Sequence, residues 1–528
     1  MKYLKKYSTE AERQAATAIE PSASIVVEDE GVYYDRAWDT PTEVIHENKS
    51  PYWTWDWKFI RPAEWPDLDI FDMENNYGLV ATYDCRDRIA DPDCLDHFIF
   101  YSHANSDFTI QRGNVVNGEF VVNATVSLTT NTPYMELLPR NEGNYVVYRV
   151  ISNNNSYGRW NLIAKTVTTD IDEDNNKYPN NNKIVELLVN QANTDMLVRP
   201  YSKILRRYAN YTRVNLANTS MNDLQLGPVI ENVEIPNAYN VRNIQNAFLN
   251  AYKLKNIPLF STSSSISNMA SAFASCYELE EIPGLESWTG MTNLGGTFSN
   301  CYNLKQIDVS SWDTSTLTGE AMQSTFSGCR SVELLDLSGW TFSGLTTQYS
   351  IRYLCQSCSQ LKRILFPRNI DFGSASNLQQ MFDGCFNLSE CELNGATITS
   401  SIINTSSMFV NCMALVEMDM SGWNFSNFTA SSNMTYMFRY CFTLGKVVFP
   451  ASTLVMNANM FDQCYNLKTI IVNATTPPTW AVTTTYLSQL HPDYKIYVPD
   501  AAVDTYKTAT GWLNAADHIY GISTYTGD

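Results

Sequence analysis

One seven-residue unit, Phe-x-x-Cys-x-x-Leu, recurs through the C-terminal half of this 528-residue chain. It reads Phe273–Cys276–Leu279, Phe298–Cys301–Leu304, Phe326–Cys329–Val332, Phe382–Cys385–Leu388, Phe409–Cys412–Leu415, Phe438–Cys441–Leu444 and Phe461–Cys464–Leu467. Two degenerate copies, Phe248–Ala251–Leu254 and Cys355–Cys358–Leu361, complete the series, and successive copies are 23 to 29 residues apart. Self-similarity at this period specifies stacked structural repeats, each burying its apolar face only against its neighbours.

Each copy divides into a strand and a helix-like segment. After the Leu comes an apolar alternation, as in Leu304-x-x-Ile307-x-Val309, Leu415-x-x-Met418-x-Met420 and Leu467-x-x-Ile470-x-Val472. This L-x-x-L-x-L pattern is that of a leucine-rich repeat strand. A turn follows, often Asp-x-Ser-x-Trp (Asp308–Trp312, Asp336–Trp340, Asp419–Trp423). Met and Phe then recur at helical spacing, as at Met434, Met437, Phe438 and Cys441. Ile230-x-x-Val233-x-Ile235 reads as one more strand, an N-terminal cap of the stack.

The cysteines share one repeat position: Cys276, Cys301, Cys329, Cys358, Cys385, Cys412, Cys441 and Cys464. Twelve cysteines in an extracellular protein would suggest disulfides. A common repeat slot instead predicts a ladder of buried thiols, since free Cys packs as a small hydrophobe. No His lies among the repeats and no Cys-x-x-Cys pairs face each other, which argues against a metal site. Cys85 and Cys94 stand apart, as a local disulfide or as two free thiols.

The Met-Phe-x-x-Cys-x-x-Leu…Leu-Asp-Leu-Ser-x-Trp unit resembles the BspA-like leucine-rich repeats of gut and oral bacterial surface proteins. Thr476-Pro-Pro-Thr-Trp480, Lys495-Ile-Tyr-Val-Pro499 and Val503-Asp-Thr-Tyr-Lys507…Gly511-Trp512…Ile519 resemble the C-terminal cap of such proteins. The resemblance covers roughly residues 228–523 and implies a solenoid over 228–475 with a cap over 476–528. It also implies adhesion to proteins or host surfaces, a role without fixed residues.

The N-terminal half is organised differently. In residues 1–48, Thr9-x-x-Glu12 is a capping box opening a short helix to about Ala18, and Pro21 ends it. Ile25–Val27, a turn at Asp29–Gly31, and Val32–Tyr34 form a hairpin. This pattern resembles N-terminal modules on virion proteins of phages infecting Bacteroidales, including crAss-like phages, and a plain hairpin is the alternative. The resemblance implies attachment to other virion proteins and oligomerisation, commonly as a trimer.

Residues 49–168 read as a β-sandwich or jelly roll, with apolar runs at 78–83, 97–101, 120–122, 145–148 and 160–163 between turn residues. Trp53, Trp55, Trp57 and Trp65 at its start either cover a sheet or stack on sugars. Residues 169–227 read as a linker and helical connector, with helices over Ile184–Asn190 and Met196–Tyr208. Within it, Asp170-x-Asp172-x-Asp174 resembles the start of a calcium loop but lacks the glycine at position six and the closing Glu, so a linker fits it better. The whole is a multidomain β-rich chain: helix-hairpin module, sandwich, then an α/β solenoid with a cap.

Catalysis has little support. The five His (46, 97, 103, 491, 518) fall into no metal or triad spacing, and no nucleophile elbow or phosphate loop is present. A net charge of −19 argues against nucleic acid as the main partner. No signal peptide or membrane span is evident: Tyr7–Arg13 stands where an apolar core would follow Lys6. A non-enzymatic virion protein, a head or tail fibre assembled in the host cytoplasm, therefore ranks above a bacterial cell-surface BspA-like adhesin.

Side chains alternate across a strand, so the third and fifth positions of each L-x-x-L-x-L run point outward. These include Asp308, Asp336, Arg363, Glu390, Glu392, Glu417, Asp419 and Lys446, an acidic column interrupted by Arg363 and ending near Lys446. Two readings stay open. One is a recognition face for host-surface glycan or protein, with calcium recruited by the carboxylates. The other is a solvated surface, with Asp308, Asp336 and Asp419 capping the next turn.

Overall fold

In the computed structural model, the described residues are 4–7, 24–27, 32–34, most of 66–153, 160–161, 184–189, 205–210, 226–235 and, with short gaps, 241–527. The chain forms two compact units, Met1–Trp65 and Pro66–Asp528.

In the first unit, β1 (Leu4–Tyr7) runs parallel to β2 (Ser24–Val27), and β2 pairs antiparallel with β3 (Val32–Tyr34) in the register Ile25–Tyr34, Val26–Tyr33, Val27–Val32. The helix expected over residues 9–18 and the four tryptophans at 53–65 lie outside the described residues.

The second unit opens with two sheets. Its strands are β4 (Gly78–Asp84), β5 (His97–Ser102), β6 (Phe108–Val116), β7 (Glu119–Leu128), β8 (Pro133–Leu137), β9 (Tyr145–Ser152), β10 (Trp160–Asn161), β11 (Ile184–Val189), β12 (Arg207–Asn210) and β13 (Asn232–Glu234). Seven of them order as β13-β12-β11-β4-β9-β6-β7, and β10-β5-β8 form a three-stranded sheet. The sheets meet on aromatic rings: Phe98 of β5 stacks on Tyr148 of β9 at 4.0 Å, and Tyr83 of β4 meets both edge-on. A half-buried polar cluster ties them further. Arg112 of β6 pairs with Glu136 of β8 and with Glu142, while the Tyr134 and Tyr148 hydroxyls donate to Glu136 at 3.0 and 3.3 Å.

The segment expected to be a helical connector is sheet. Ile184-Val-Glu-Leu-Leu-Val189 is a buried strand antiparallel to β4. Arg207–Asn210 adds parallel to it, so the end of the Met196–Tyr208 run is extended too. A six-residue apolar run carries no period that separates a buried strand from a helix. β13 is the strand expected to cap the solenoid. It pairs parallel with β12, so the stack continues out of the seven-stranded sheet instead of starting at a free end. Residues 154–159, 162–183, 190–204 and 211–225, including the Asp170–Asp174 stretch, lie outside the described residues.

The repeats then stack along one continuous core lined by the residues in the Phe, Cys and Leu slots of every copy. Regular strands form from Leu334 onward: β14 (Leu334–Asp336), β15 (Arg363–Leu365), β16 (Asn369–Ile370), β17 (Glu390–Cys391), β18 (Thr397–Ile398), β19 (Glu417–Asp419), β20 (Lys446–Phe449), β21 (Val455–Met456), β22 (Thr469–Val472), β23 (Thr479–Trp480), β24 (Lys495–Val498) and β25 (Ile519–Gly521). The main wall is parallel in two blocks, β14-β15-β17 and β19-β20-β22-β24-β25. At the break the Asn394 side chain stands in for the ladder: its Oδ1 accepts the Asp419 N–H at 2.6 Å. The Leu279 and Leu304 copies form no regular strand, and Pro283 removes a ladder donor between them.

The expected helix-like segment is not helical, so the repeats are β-and-turn units rather than α/β units. Residues two before and two after the Phe adopt positive φ, as at Ser271 and Ser275 (52° and 64°), Ser407 and Asn411 (56° and 62°), and Tyr436 and Tyr440 (55° and 64°). Alternate N–H groups therefore point out of the local turn and bond the next repeat. The Phe273 N–H reaches the Thr297 carbonyl, Phe298 reaches Thr325, and Phe409 reaches Met437, at 2.8–2.9 Å. Glycine serves where crowding joins the left-handed backbone: a Cβ on Gly328 (φ 76°) would lie 2.5 Å from Asn300 Oδ1.

The far end is closed by α1 (Thr484–Leu487) and α2 (Val503–Thr508), where Trp512 packs edge-on against Trp480 and Tyr506 and donates its indole N–H to the Pro478 carbonyl at 2.8 Å. Among the described residues no helix is long and apolar enough to cross a membrane.

Candidate binding surface

All eight ladder cysteines are buried, and none is in a disulfide. Each thiol lies 3.0–3.2 Å from the carbonyl oxygen of the Phe-slot residue one repeat earlier and donates to it, from Cys276 on Phe248 to Cys464 on Phe438. The same carbonyls accept a backbone N–H within their own repeat, as Phe382 does from Cys385 at 3.0 Å. Both lone pairs of a buried carbonyl are thereby used. Burial pushes seven of these thiols up, Cys301 to about 12, so they stay protonated donors, whereas hydrogen bonds with Cys355 and Cys385 outweigh burial at Cys358 and pull its thiol down. Their role is to hold the wall that carries the surface. Cys85 is buried as well, and Cys94 lies outside the described residues.

The solenoid's outer sheet face is where the chain presents side chains in register. Arg363 stands opposite Leu334 on one side and Glu390 on the other, and Glu417 stands opposite Lys446. These are not free carboxylates. Arg363 pairs with Glu390 at 3.2 Å and Glu392 at 3.6 Å, and Lys446 pairs with Glu417 at 3.5 Å. Exposed pairs of this kind add little stability, so their arrangement shapes the face more than it holds the fold.

The aspartates belong to the turn chemistry. Asp308 Oδ1 accepts the Ser310 N–H and hydroxyl at 3.2 and 2.8 Å, and Asp336 Oδ1 accepts the same groups of Ser338 at 2.9 and 2.6 Å. Asp419 Oδ1 accepts the Ser421 N–H at 2.8 Å. The structure thus separates Asp308, Asp336 and Asp419, which close turns, from Arg363, Glu390, Glu392, Glu417 and Lys446, which project as a paired array.

A second charged column went unread in the sequence. Glu280 pairs with Lys305 at 2.8 Å, and Glu333 with Lys362 at 2.9 Å, each across one repeat step. Alternating Glu and Lys directly after the repeat's Leu was the available signal. Beyond Lys446 its own column continues through Thr469 to the exposed Lys495, while the neighbouring column is apolar and covered. Val448, Ile471 and Tyr497 are buried beneath Ile522 and Tyr525 of the C-terminal segment, which Asp500 anchors through the Ser523 N–H and hydroxyl. Among the described residues no group of three or more His, Cys, Asp or Glu could hold a metal ion.

With this geometry in place, comparisons with known proteins show what the repeat region is similar to. Residues 350–478 match the model of the BspA type leucine-rich repeat region, and residues 220–340 and 267–389 match the family described as Mycoplasma protein of unknown function, DUF285. Within residues 350–478 the chain therefore carries a BspA-type leucine-rich repeat region. A leucine-rich repeat protein from Bacteroides ovatus is 18% identical over 61% of this chain and 84% of its own, with a TM-score of 0.31. TLR13, solved in complex with an ssRNA, is 14% identical over 59% of this chain and 45% of its own, with a TM-score of 0.23. No curated protein matches.

Proposed function

We propose that this chain is a non-enzymatic adhesion protein that binds a host-surface glycan or protein along the outer face of its solenoid sheet. The observation that carries this reading is the array of Arg363, Glu390, Glu392, Glu417 and Lys446, placed by strand register on successive repeats. Neighbouring strands lie about 4.8 Å apart, so such an array suits an extended partner better than a small molecule. The BspA-type match over residues 350–478 covers this stretch and supports the same role. The N-terminal resemblance to Bacteroidales phage modules favours a virion fibre as the setting; a bacterial cell surface accommodates the same face equally well.

The test is adsorption of the purified protein to Bacteroidales cells and to their capsular polysaccharide. Reversing charge at Glu390, Glu392 and Glu417 together, with the turn-closing Asp419 left intact, should reduce adsorption at least tenfold. Unchanged adsorption would make the solenoid a spacer. Mass spectrometry of purified virions separates the two settings, because a virion protein is present in particles at stoichiometric amounts.

A further inference from the structure

The seven-stranded sheet ends in an open edge. β7 is ten residues long and, among the described residues, pairs only with β6. An unpaired edge offers a row of backbone donors and acceptors for another strand, and proteins usually blunt it with Pro, Lys, a bulge, short length or a cover. β7 has neither Pro nor Lys, and its single charge is Glu119 at its first residue. Its one irregularity is a bulge at Asn123, the extra residue where Arg112 faces Ala124 and Gly113 faces Val122. The bulge turns the Asn123 amide onto Glu142 at 2.9 Å and leaves the tip half of the hairpin beyond it. That tip is apolar and open: Val116 is 50%, Val121 48% and Val122 42% exposed. The opposite end of the sequence-continuous stack is treated otherwise. β25 is only three residues long, and the sheet face beside it lies under Ile522 and Tyr525.

We infer that β7 is a self-association edge, paired antiparallel with β7 of a second copy of this chain about a two-fold axis. Two features single out that occupant. An edge strand is complementary to its own two-fold copy, because alternating outward N–H and C=O groups meet their counterparts in reverse order. Charge agrees. Two copies of a chain with net charge −19 repel over most of their surfaces, but β7 is neutral apart from Glu119. Antiparallel pairing sends the two Glu119 side chains to opposite ends of the joint. Val121 and Val122 then lose solvent against the partner. An isologous joint of this kind yields dimers rather than the trimer that the N-terminal resemblance implies. The inference does not depend on what the solenoid binds.

The test uses the full chain. Sedimentation velocity at micromolar concentration should show a dimer. The double variant Val121→Lys, Val122→Lys should weaken it at least tenfold, with an unchanged thermal melt. Separately, Val122→Cys, Thr125→Cys and Ser127→Cys, introduced one at a time and oxidised, should give a disulfide between two copies at the position nearest the axis, mapped by mass spectrometry to the introduced residue. A monomeric wild-type chain overturns the inference, as does a dimer that survives both lysines. Cross-linking of the introduced cysteines within one chain, or to no second copy at any position, overturns it as well.

Discussion

The Cys412 thiol donates to the Phe382 carbonyl at 3.2 Å, one repeat away, while the Phe382 ring stacks on Phe409 at 5.4 Å. The thiol thus satisfies a buried acceptor of its neighbour and fills the core, beside the ring stack and backbone hydrogen bonds that hold the rise between repeats. Truncation removes the first two contributions. Cys412→Ala should destabilise the chain by about 1–3 kcal/mol, from a small cavity and a carbonyl that loses one donor, read as a lowered denaturant midpoint. Native protein should leave the ladder thiols unmodified by a thiol reagent, and denaturant without reductant should expose them all. Recovery of ladder cysteines as disulfides would refute this.

Alkaline pH acts through the same thiols. Burial raises the Cys301 thiol to about 12, above its unfolded value. Its contribution is therefore fully present below the unfolded thiol pKa of about 8.5 and is lost as pH rises towards about 12. Stability should fall between about pH 9 and pH 11, and Cys301→Ala should make the fall shallower. Denaturant titrations at a series of pH values check both.

Leu415 is buried where the turn side meets the main wall. Leu415→Ala should cost about 2–5 kcal/mol. Leu304, equally buried beside the irregular first repeats, should cost a similar amount. The comparison by chemical denaturation tests whether the core is continuous through the region without regular strands.

Asp336 makes two hydrogen bonds that close the turn before Trp340, so its substitution is expected to act on stability. Asp336→Ala should cost about 0.5–2 kcal/mol by the scale of a lost side-chain cap while adsorption stays unchanged. Asp336→Asn keeps the acceptor and should cost less. Loss of adsorption in the Asn variant would return this residue to the binding face.

The cluster between the two sheets predicts an acid limb. Partial burial pushes the Glu142 carboxyl up, but hydrogen bonds from Arg112 and Asn123 prevail and hold it below the ordinary carboxylate range. Its contribution is present above the unfolded carboxylate pKa of about 4.3 and is lost as pH falls through the lower folded value. Glu142→Gln should flatten the stability profile below about pH 4, measured by near-UV circular dichroism.

The repeat positions were legible because Phe, Cys and Leu return at a near-constant interval, and stacking turns an interval along the chain into a column in space. The backbone between them was not. Met437, Phe438 and Cys441 have helical spacing, yet Tyr436 and Tyr440 adopt the left-handed region that their side chains do not advertise. Gly296, Gly328 and Gly384, at the equivalent positions of other copies, carried that signal. Strand β11 was misread because its partners, β4 and β12, are brought to it by folding, which no local pattern records. On the outer face the charged residues were legible and their pairing was not, because Arg363 and Glu390 are 27 residues apart and meet only through register.

The hydrogen bonds from one repeat's Phe N–H and Cys thiol to its neighbour run along the direction in which repeats are stacked. A pull applied between the ends of the solenoid therefore loads the rungs in series, each as strong as its own small set of bonds, instead of shearing many bonds at once. Such a body yields by peeling. Each released repeat of 23 to 29 residues pays out roughly 80–100 Å of extended chain, while the rungs behind it keep their rings stacked and their thiols covered. A tether built this way lengthens stepwise under tension and can rewind against the template of the repeats that remain.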